Sequence, residues 1–317
     1  MSSKIFKSPL PYIALILANL IWGANFVVAK VTLQEFPPMS LAFLRFALAS
    51  LFLAPFFYAY TKKGSPRQVK IDKQDLPKLI AIGVFIVTLN ITFFFEGIKR
   101  TTVVDSAILL MIGPILSVLA GWWFLKEKIF LINLGGVLLG FIGALVIIGL
   151  PALLTGTIPS EMLLGNILVT LATVSWVIGA IISKGMLKKY PSMIVTAIAF
   201  LVGTLTFLIP AGLEYLKNPA WPFGITMLGL LGLVYMTLLS SISAYFLFEW
   251  GLAKTSVGMA DLFQYIEPFI ATFLAVTILE EKLSPSFLIG AVLIGIGVFL
   301  GTLAKERHHR HHKSHRT

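Results

Sequence analysis

"LANLIWGANFVVAKVTLQEFPPM" (17–39) lies over "LATVSWVIGAIISKGMLKKYPSM" (171–193) without a gap, at an offset of 154 residues. Leu17, Ala18, Trp22, Lys30, Leu33, Pro37 and Met39 match Leu171, Ala172, Trp176, Lys184, Leu187, Pro191 and Met193. Leucines and alanines coincide by chance in any two apolar stretches, but tryptophan, lysine and proline do not. The agreement marks a duplicated unit. The register holds further on, where Gly97, Thr101, Pro114, Glu127 and Lys128 match Gly251, Thr255, Pro268, Glu281 and Lys282. It continues through Gly136 and Gly143 onto Gly290 and Gly297.

The duplicated unit belongs in a membrane. The chain is 57% hydrophobic and 12% charged, with a mean hydropathy of +0.92. Apolar runs of 18 or more residues recur, each long enough to cross a hydrocarbon core about 30 Å thick. They predict ten spans near 11–31, 39–60, 79–98, 102–125, 131–150, 162–183, 192–213, 224–248, 256–279 and 285–303. A β-barrel is excluded, because "LGGVLLGFIGALVIIGL" (134–150) is continuously apolar whereas barrel strands alternate. The first run follows Lys4 and Lys7, exceeds a signal-peptide core and leads directly into another span, so it reads as a retained anchor.

Each copy contributes five spans, an odd number, so the second must enter the bilayer from the opposite side. The expectation is an all-α multi-pass membrane protein of ten transmembrane helices in two inverted repeats. Its parts are residues 1–150, residues 151–303 and a basic His-rich tail, 304–317. Inverted repeats are the architecture of alternating access around a midplane site.

The net charge of +11 could suggest nucleic acid, but Lys and Arg also concentrate in cytoplasmic loops of membrane proteins. With the N-terminus inside, nineteen of the 25 basic residues fall on the cytoplasmic side, five on the other, and Arg45 within a span. The reading is a plasma (inner) membrane protein of a prokaryote with both termini cytoplasmic, bound to lipid and not to nucleic acid. No cysteine is present, so disulfides and thiolate metal sites are excluded.

At this point the chain resembles the drug/metabolite transporter superfamily, in its ten-helix EamA-like branch. The resemblance rests on Trp22-Gly23, on Arg45-Phe46, and on "TTVVDSAILLMIGPILSVLAGWWFLKEKI" (101–129) repeated as "TSVGMADLFQYIEPFIATFLAVTILEEKL" (255–283). It implies secondary transport or export of small organic solutes through a central cavity lined by spans 1, 3, 4, 6, 8 and 9. It does not imply one substrate.

Acidic side chains in a bilayer centre cost about 2.5 kcal/mol or more and are functional candidates by default. Glu267 is the clearest, near the midpoint of the ninth span, with Asp261, Gln264, Tyr265 and Pro268 sharing a helical face beside it. Ser241, Tyr245 and Glu249 form a stripe on span 8; Thr88, Thr92 and Glu96 do so on span 3, where Asn90 adds an amide, and Asp105 opens span 4. Trp22, Asn25 and Trp176 are candidates for the cavity wall. For each a structural reading stands beside the functional one. Glu96, Asp105 and Glu249 could be helix-end residues, Glu267 could bond carbonyls freed by Pro268, and Arg45 fits a structural ion pair better than solute contact. Pro114 and Pro268 are predicted hinges. Gly136, Gly140, Gly297 and Gly301 form small-residue faces that let neighbouring helices of one chain approach closely, and a homodimer stays open beside a monomer.

No GxxxxGK[ST] loop occurs and no extramembrane stretch could hold a nucleotide-binding domain, so an ATP-driven pump is excluded. All five histidines lie in the tail, which removes intramembrane zinc or Cys–His catalysis. The prediction is a transporter with no cofactor and no resident metal, not an enzyme. Its solute is zwitterionic or cationic, such as an amino acid or amine, moved outward with proton coupling open. The alternatives are a uniporter or channel-like facilitator of neutral metabolites such as nucleobases and, behind it, an intramembrane enzyme working with carboxylates alone.

Overall fold

The computed structural model describes residues 9–63, 69–113, 116, 131–148, 159–255, 260, 263–297 and 300. Pro114, Asp261, Glu127, Lys128, Gly301 and the basic tail lie outside the described residues. Among those described the fold is all helical, with no strand. Six helices are long and apolar enough to span a membrane: α1 (Leu10–Thr32), α2 (Pro38–Thr61), α3 (Leu76–Arg100), α6 (Ser160–Met186), α7 (Ser192–Lys217) and α8 (Met227–Lys254). Four shorter apolar segments are α4 (Val103–Ile112), α5 (Leu131–Ile148, with its apolar core Leu138–Ile147), α9 (Ile266–Ile278) and α10 (Pro285–Gly297). Leu51, Ile209, Leu216 and Phe269 are each more than 70% exposed on the outer faces, as expected where lipid is the solvent.

The 154-residue register reappears in three dimensions. Pro37 and Pro191, with φ/ψ of −62°/141° and −58°/146°, stand extended before α2 and α7, where a missing N–H costs nothing. Thr101 (−122°/−177°) and Thr255 (−121°/−174°) end α3 and α8 alike. The Lys30 ammonium donates to the carbonyls of Ile98 (2.6 Å) and Thr101 (2.5 Å). Lys184 does the same to Leu252 and Thr255, both at 2.5 Å. Each lysine thus satisfies orphan carbonyls at a helix C-terminus, the end a cation stabilises. Ser50 and Thr204, equivalent positions, bond to each other at 3.2 Å where α2 packs along α7.

Further ties hold the halves together. Glu281 accepts the backbone N–H of Val103 (2.9 Å) and Val104 (3.0 Å) at the start of α4. Glu214 accepts Ser40 N–H at 2.7 Å at the start of α2. The glycine faces on α5 and α10 meet within the chain: a Cβ added to Gly143 would lie 2.8 Å from the Gly290 carbonyl oxygen.

Outside the spans, the Lys189 ammonium (3.0 Å) and the Tyr190 hydroxyl (2.8 Å) donate to the Asp75 carboxylate, in that order holding it below its ordinary range. A depressed carboxylate stabilises the fold above its unfolded value, and the benefit disappears as pH falls through the folded one. The stability difference between wild type and Asp75→Asn is therefore expected to be constant from about pH 5 to about pH 9, below the range in which the Lys189 ammonium gives up its proton. It should shrink on acidification below about pH 4, read by thermal unfolding in detergent.

Two predictions of local structure need correction. The ninth span is not one continuous helix: Tyr265 forms a turn and α9 begins at Ile266, which puts Glu267 in its first turn rather than at mid-helix. Pro268 has no N–H for the Gln264 carbonyl and its ring crowds that carbonyl, so the helix restarts. The stripes on spans 3 and 8 run at α-helical spacing only in part: Thr88 and Ser241 lie in the π-helical stretches Gly83–Leu89 and Tyr235–Ser243, whereas Thr92 and Glu96, and Tyr245 and Glu249, lie on α-helical turns. The wider turn rotates the residues that follow relative to those before. These two stretches overlap under the 154-residue register.

Candidate functional site

One cavity of about 80 Å³ opens at the centre, between α1, α2, α3, α4, α6, α8 and the start of α9. By volume it holds several waters or the polar end of a small solute. Trp22, Asn25, Asn90, Trp176, Tyr245, Gln264 and Glu267, all singled out from the sequence, line it. Phe26, Arg45, Ile91, Phe94, Leu110, Ala172, Thr173 and Ser240 complete the wall.

The aromatic side is rigid. Trp22 and Trp176, equivalent residues of the two copies, meet edge to face at 5.2 Å and 84°. Tyr245 packs edge-on against both, at 5.2 Å from Trp22 and 5.9 Å from Trp176. Such pairs add about 0.5–1.5 kcal/mol beyond burial. The Trp22 indole N–H donates to the Ser240 carbonyl at 3.0 Å and so ties α1 to the π-helical stretch of α8. Asn90 is likewise anchored, its amide donating to the Ala172 carbonyl at 2.9 Å.

The polar side holds an acidic and a basic side chain. Glu267 is 5% exposed, and among the described residues its carboxylate has no hydrogen bond or ion pair. Arg45 is 1% exposed. Its Nε donates to Ser241 Oγ at 2.5 Å and its Nη2 to Ser240 Oγ at 3.1 Å, with the guanidinium carbon 5.0 Å from the Phe46 ring centre. Nη1 has no partner. The expected structural ion pair for Arg45 is thus overturned: two serine hydroxyls hold it and no carboxylate comes within 4.0 Å among the described residues. Asn25 Oδ1 is also buried without a donor.

Other acidic candidates lie elsewhere. Glu96 pairs with Arg100, one turn on along α3, and Arg100 also meets Glu161 at 3.3 Å, so Glu96 is a helix-end residue. Glu249 is buried but accepts the Ser183 hydroxyl, at 2.8 and 3.0 Å to its two oxygens, bridging α8 to α6 outside the cavity. Asp105 sits in the first turn of α4, its N–H bonded to Thr102 Oγ at 3.0 Å. Tyr265, the turn residue, is not part of the cavity wall. Among the described residues, Glu267 is the one carboxylate in the cavity wall. Among the described residues no three His, Asp or Glu side chains gather where they could hold a metal ion.

Arg45 is the residue whose partners sequence reasoning got wrong. Its signal was present, a lone charge inside a span, but a structural ion pair accounted for it as well. Only the serines of α8, nearly two hundred positions away, show that it points inward.

The comparisons with known proteins agree with this architecture. The model of the EamA-like transporter family matches twice, at residues 9–149 and 163–303. An "Uncharacterized transporter" of Archaeoglobus fulgidus is 30% identical over 296 residues, covering 92% of this chain and 96% of that protein. A "Probable amino-acid metabolite efflux pump" of Salmonella typhimurium is 28% identical, covering 90% of this chain and 92% of that one. A protein of the same description from Escherichia coli is 26% identical over the same shares. A solved crystal structure shares the fold with a TM-score of 0.64 at 19% identity, covering 94% of this chain and 98% of that one. A chain with two matched copies over most of its length, a membrane-spanning helical body and relatives of this kind belongs to the EamA-like transporter family, within the drug/metabolite transporter superfamily: it is a transporter and not an enzyme.

Proposed function

We propose that the chain is a secondary transporter moving a small zwitterionic or cationic organic solute, such as an amino acid or amine, by alternating access. The observation that carries the reading is the central cavity, in which a buried carboxylate and a buried guanidinium face one space, neither spent on an ion pair. Holding such groups desolvated is costly, and a cavity that a solute completes accounts for the cost. The names of the Salmonella and Escherichia relatives support an amino-acid metabolite as cargo and export as the direction. The odd number of spans per copy and the bias of basic residues support inverted repeats with both termini cytoplasmic, in the plasma membrane of a prokaryote. Pro268, Pro114 and the paired π-helical stretches are the places where helices bend between the two states, and Glu267 is where solute or a coupled proton sits.

Purified protein in liposomes preloaded with one unlabelled solute tests this. Labelled external solute should accumulate transiently by exchange, without ATP, for at least one member of a panel of amino acids and amines. A panel with no exchange above empty liposomes would refute the reading.

A further inference from the structure

The cavity leaves three buried polar groups unspent: the Glu267 carboxylate, Asn25 Oδ1 and Arg45 Nη1. The first two accept hydrogen bonds, and only the third donates. A solute that is a plain amine would satisfy the acceptors and leave the guanidinium bare, next to a second positive charge. That arrangement is doubly unfavourable, since an uncompensated buried cation is already costly and like charges raise the cost.

The guanidinium is held ready for an anion. Two of its nitrogens are fixed by Ser241 Oγ (2.5 Å) and Ser240 Oγ (3.1 Å), and Phe46 stacks beside it. Ser240 is itself anchored through its carbonyl by Trp22 at 3.0 Å. Serine hydroxyls orient an arginine but do not neutralise it. What remains is Nη1 and one hydrogen of Nη2, side by side, an end-on fork matched to the two oxygens of a carboxylate.

We propose that Arg45 is the carboxylate-reading residue of the cavity, so that the solute carries a carboxylate together with an ammonium and plain amines are rejected. The ammonium then faces Glu267 and Asn25, and the Trp22–Trp176–Tyr245 wall takes the solute's apolar part. This rests on the cavity being the solute site, and it narrows the zwitterionic or cationic class to zwitterions.

The test is a thermal-shift titration of the full chain in detergent with the common amino acids and with ethanolamine, putrescine and phenethylamine. The matched decarboxylated amine and the amide of the strongest amino acid are then titrated. Wild type should bind that amino acid at least about tenfold more tightly than either derivative. Arg45→Gln should bring the amino acid down to the level of its amine while the amine's own affinity rises, since it no longer meets a like charge, and Arg45→Lys should recover part of the amino acid's advantage. Equal binding of amine and amino acid to wild type, which needs no variant, overturns the proposal. So does an equal loss of both in Arg45→Gln, which would make Arg45 a scaffold for Ser240 and Ser241. A chloride series at constant ionic strength separates the remaining source of an anion: saturable chloride binding abolished by Arg45→Gln, with no preference for carboxylates, also overturns it. Any of these results with exchange intact in liposomes removes the Arg45 assignment alone, whereas absence of both binding and exchange removes the cavity reading as well.

Discussion

Glu267→Gln is expected to cut solute exchange in liposomes by at least about tenfold, or about 1.4 kcal/mol, and to flatten its dependence on pH. The substitution keeps the shape of the side chain and one acceptor oxygen, turns the other into an amide donor, and removes charge and proton exchange. In the cavity the carboxylate has no protein partner among the described residues, so its interactions are free for solute or proton. A purely structural glutamate, bonded to carbonyls released by Pro268, would lose little on conversion to glutamine, since an amide also donates to carbonyls. Unchanged rate together with an unchanged pH profile would therefore assign Glu267 to the backbone of its own turn. Glu267→Asp should retain part of the pH dependence while losing affinity.

Gly23→Val is expected to abolish most exchange and to destabilise the protein by about 1–3 kcal/mol. A Cβ at position 23 would lie 3.0 Å from the Glu267 carbonyl oxygen, 3.2 Å from Glu267 Cα and 2.8 Å from Ile270 Cβ. Two of these neighbours are backbone atoms of the first turn of α9, which no rotamer change can move aside. To accommodate the side chain α1 and α9 must separate, and the carboxylate travels with α9. Gly212→Ala, where an added Cβ meets nothing within 4 Å, should leave exchange and unfolding temperature unchanged. Wild-type exchange by Gly23→Val would show that the α1–α9 contact does not position Glu267. The close approach explains why Trp22-Gly23 is a paired feature: the tryptophan fills the cavity wall while the glycine lets α9 bring Glu267 to it.

The duplicated fold was legible from residues 17–39 and 171–193 alone. Hydropathy records where the chain meets lipid, and Trp, Lys and Pro recur only where the same local geometry recurs. Lys30 and Lys184 make the point: each occupies the same place against a helix end, so each copy kept its lysine. The cavity candidates were legible in part, because polar and aromatic residues in an apolar span have few uses other than packing or a site.

Which of them share one space was not legible. A helical repeat of 3.6 assigns faces only while the helix is regular, and the π-helical stretches in α3 and α8 and the break at Tyr265 rotate the residues beyond them. Glu96 and Glu249 look from sequence like Glu267, yet Arg100 and Ser183 take them up, and those partners are chosen by which helices touch. The sequence by itself determined the membrane-spanning class and the two copies, since both are written in composition and covalent order. Only the tertiary structure decided that Arg45 and Glu267 face the same cavity with no ion pair among the described residues. Their meeting depends on the packing of α1, α2, α8 and α9, residues far apart in the chain and brought together by burial.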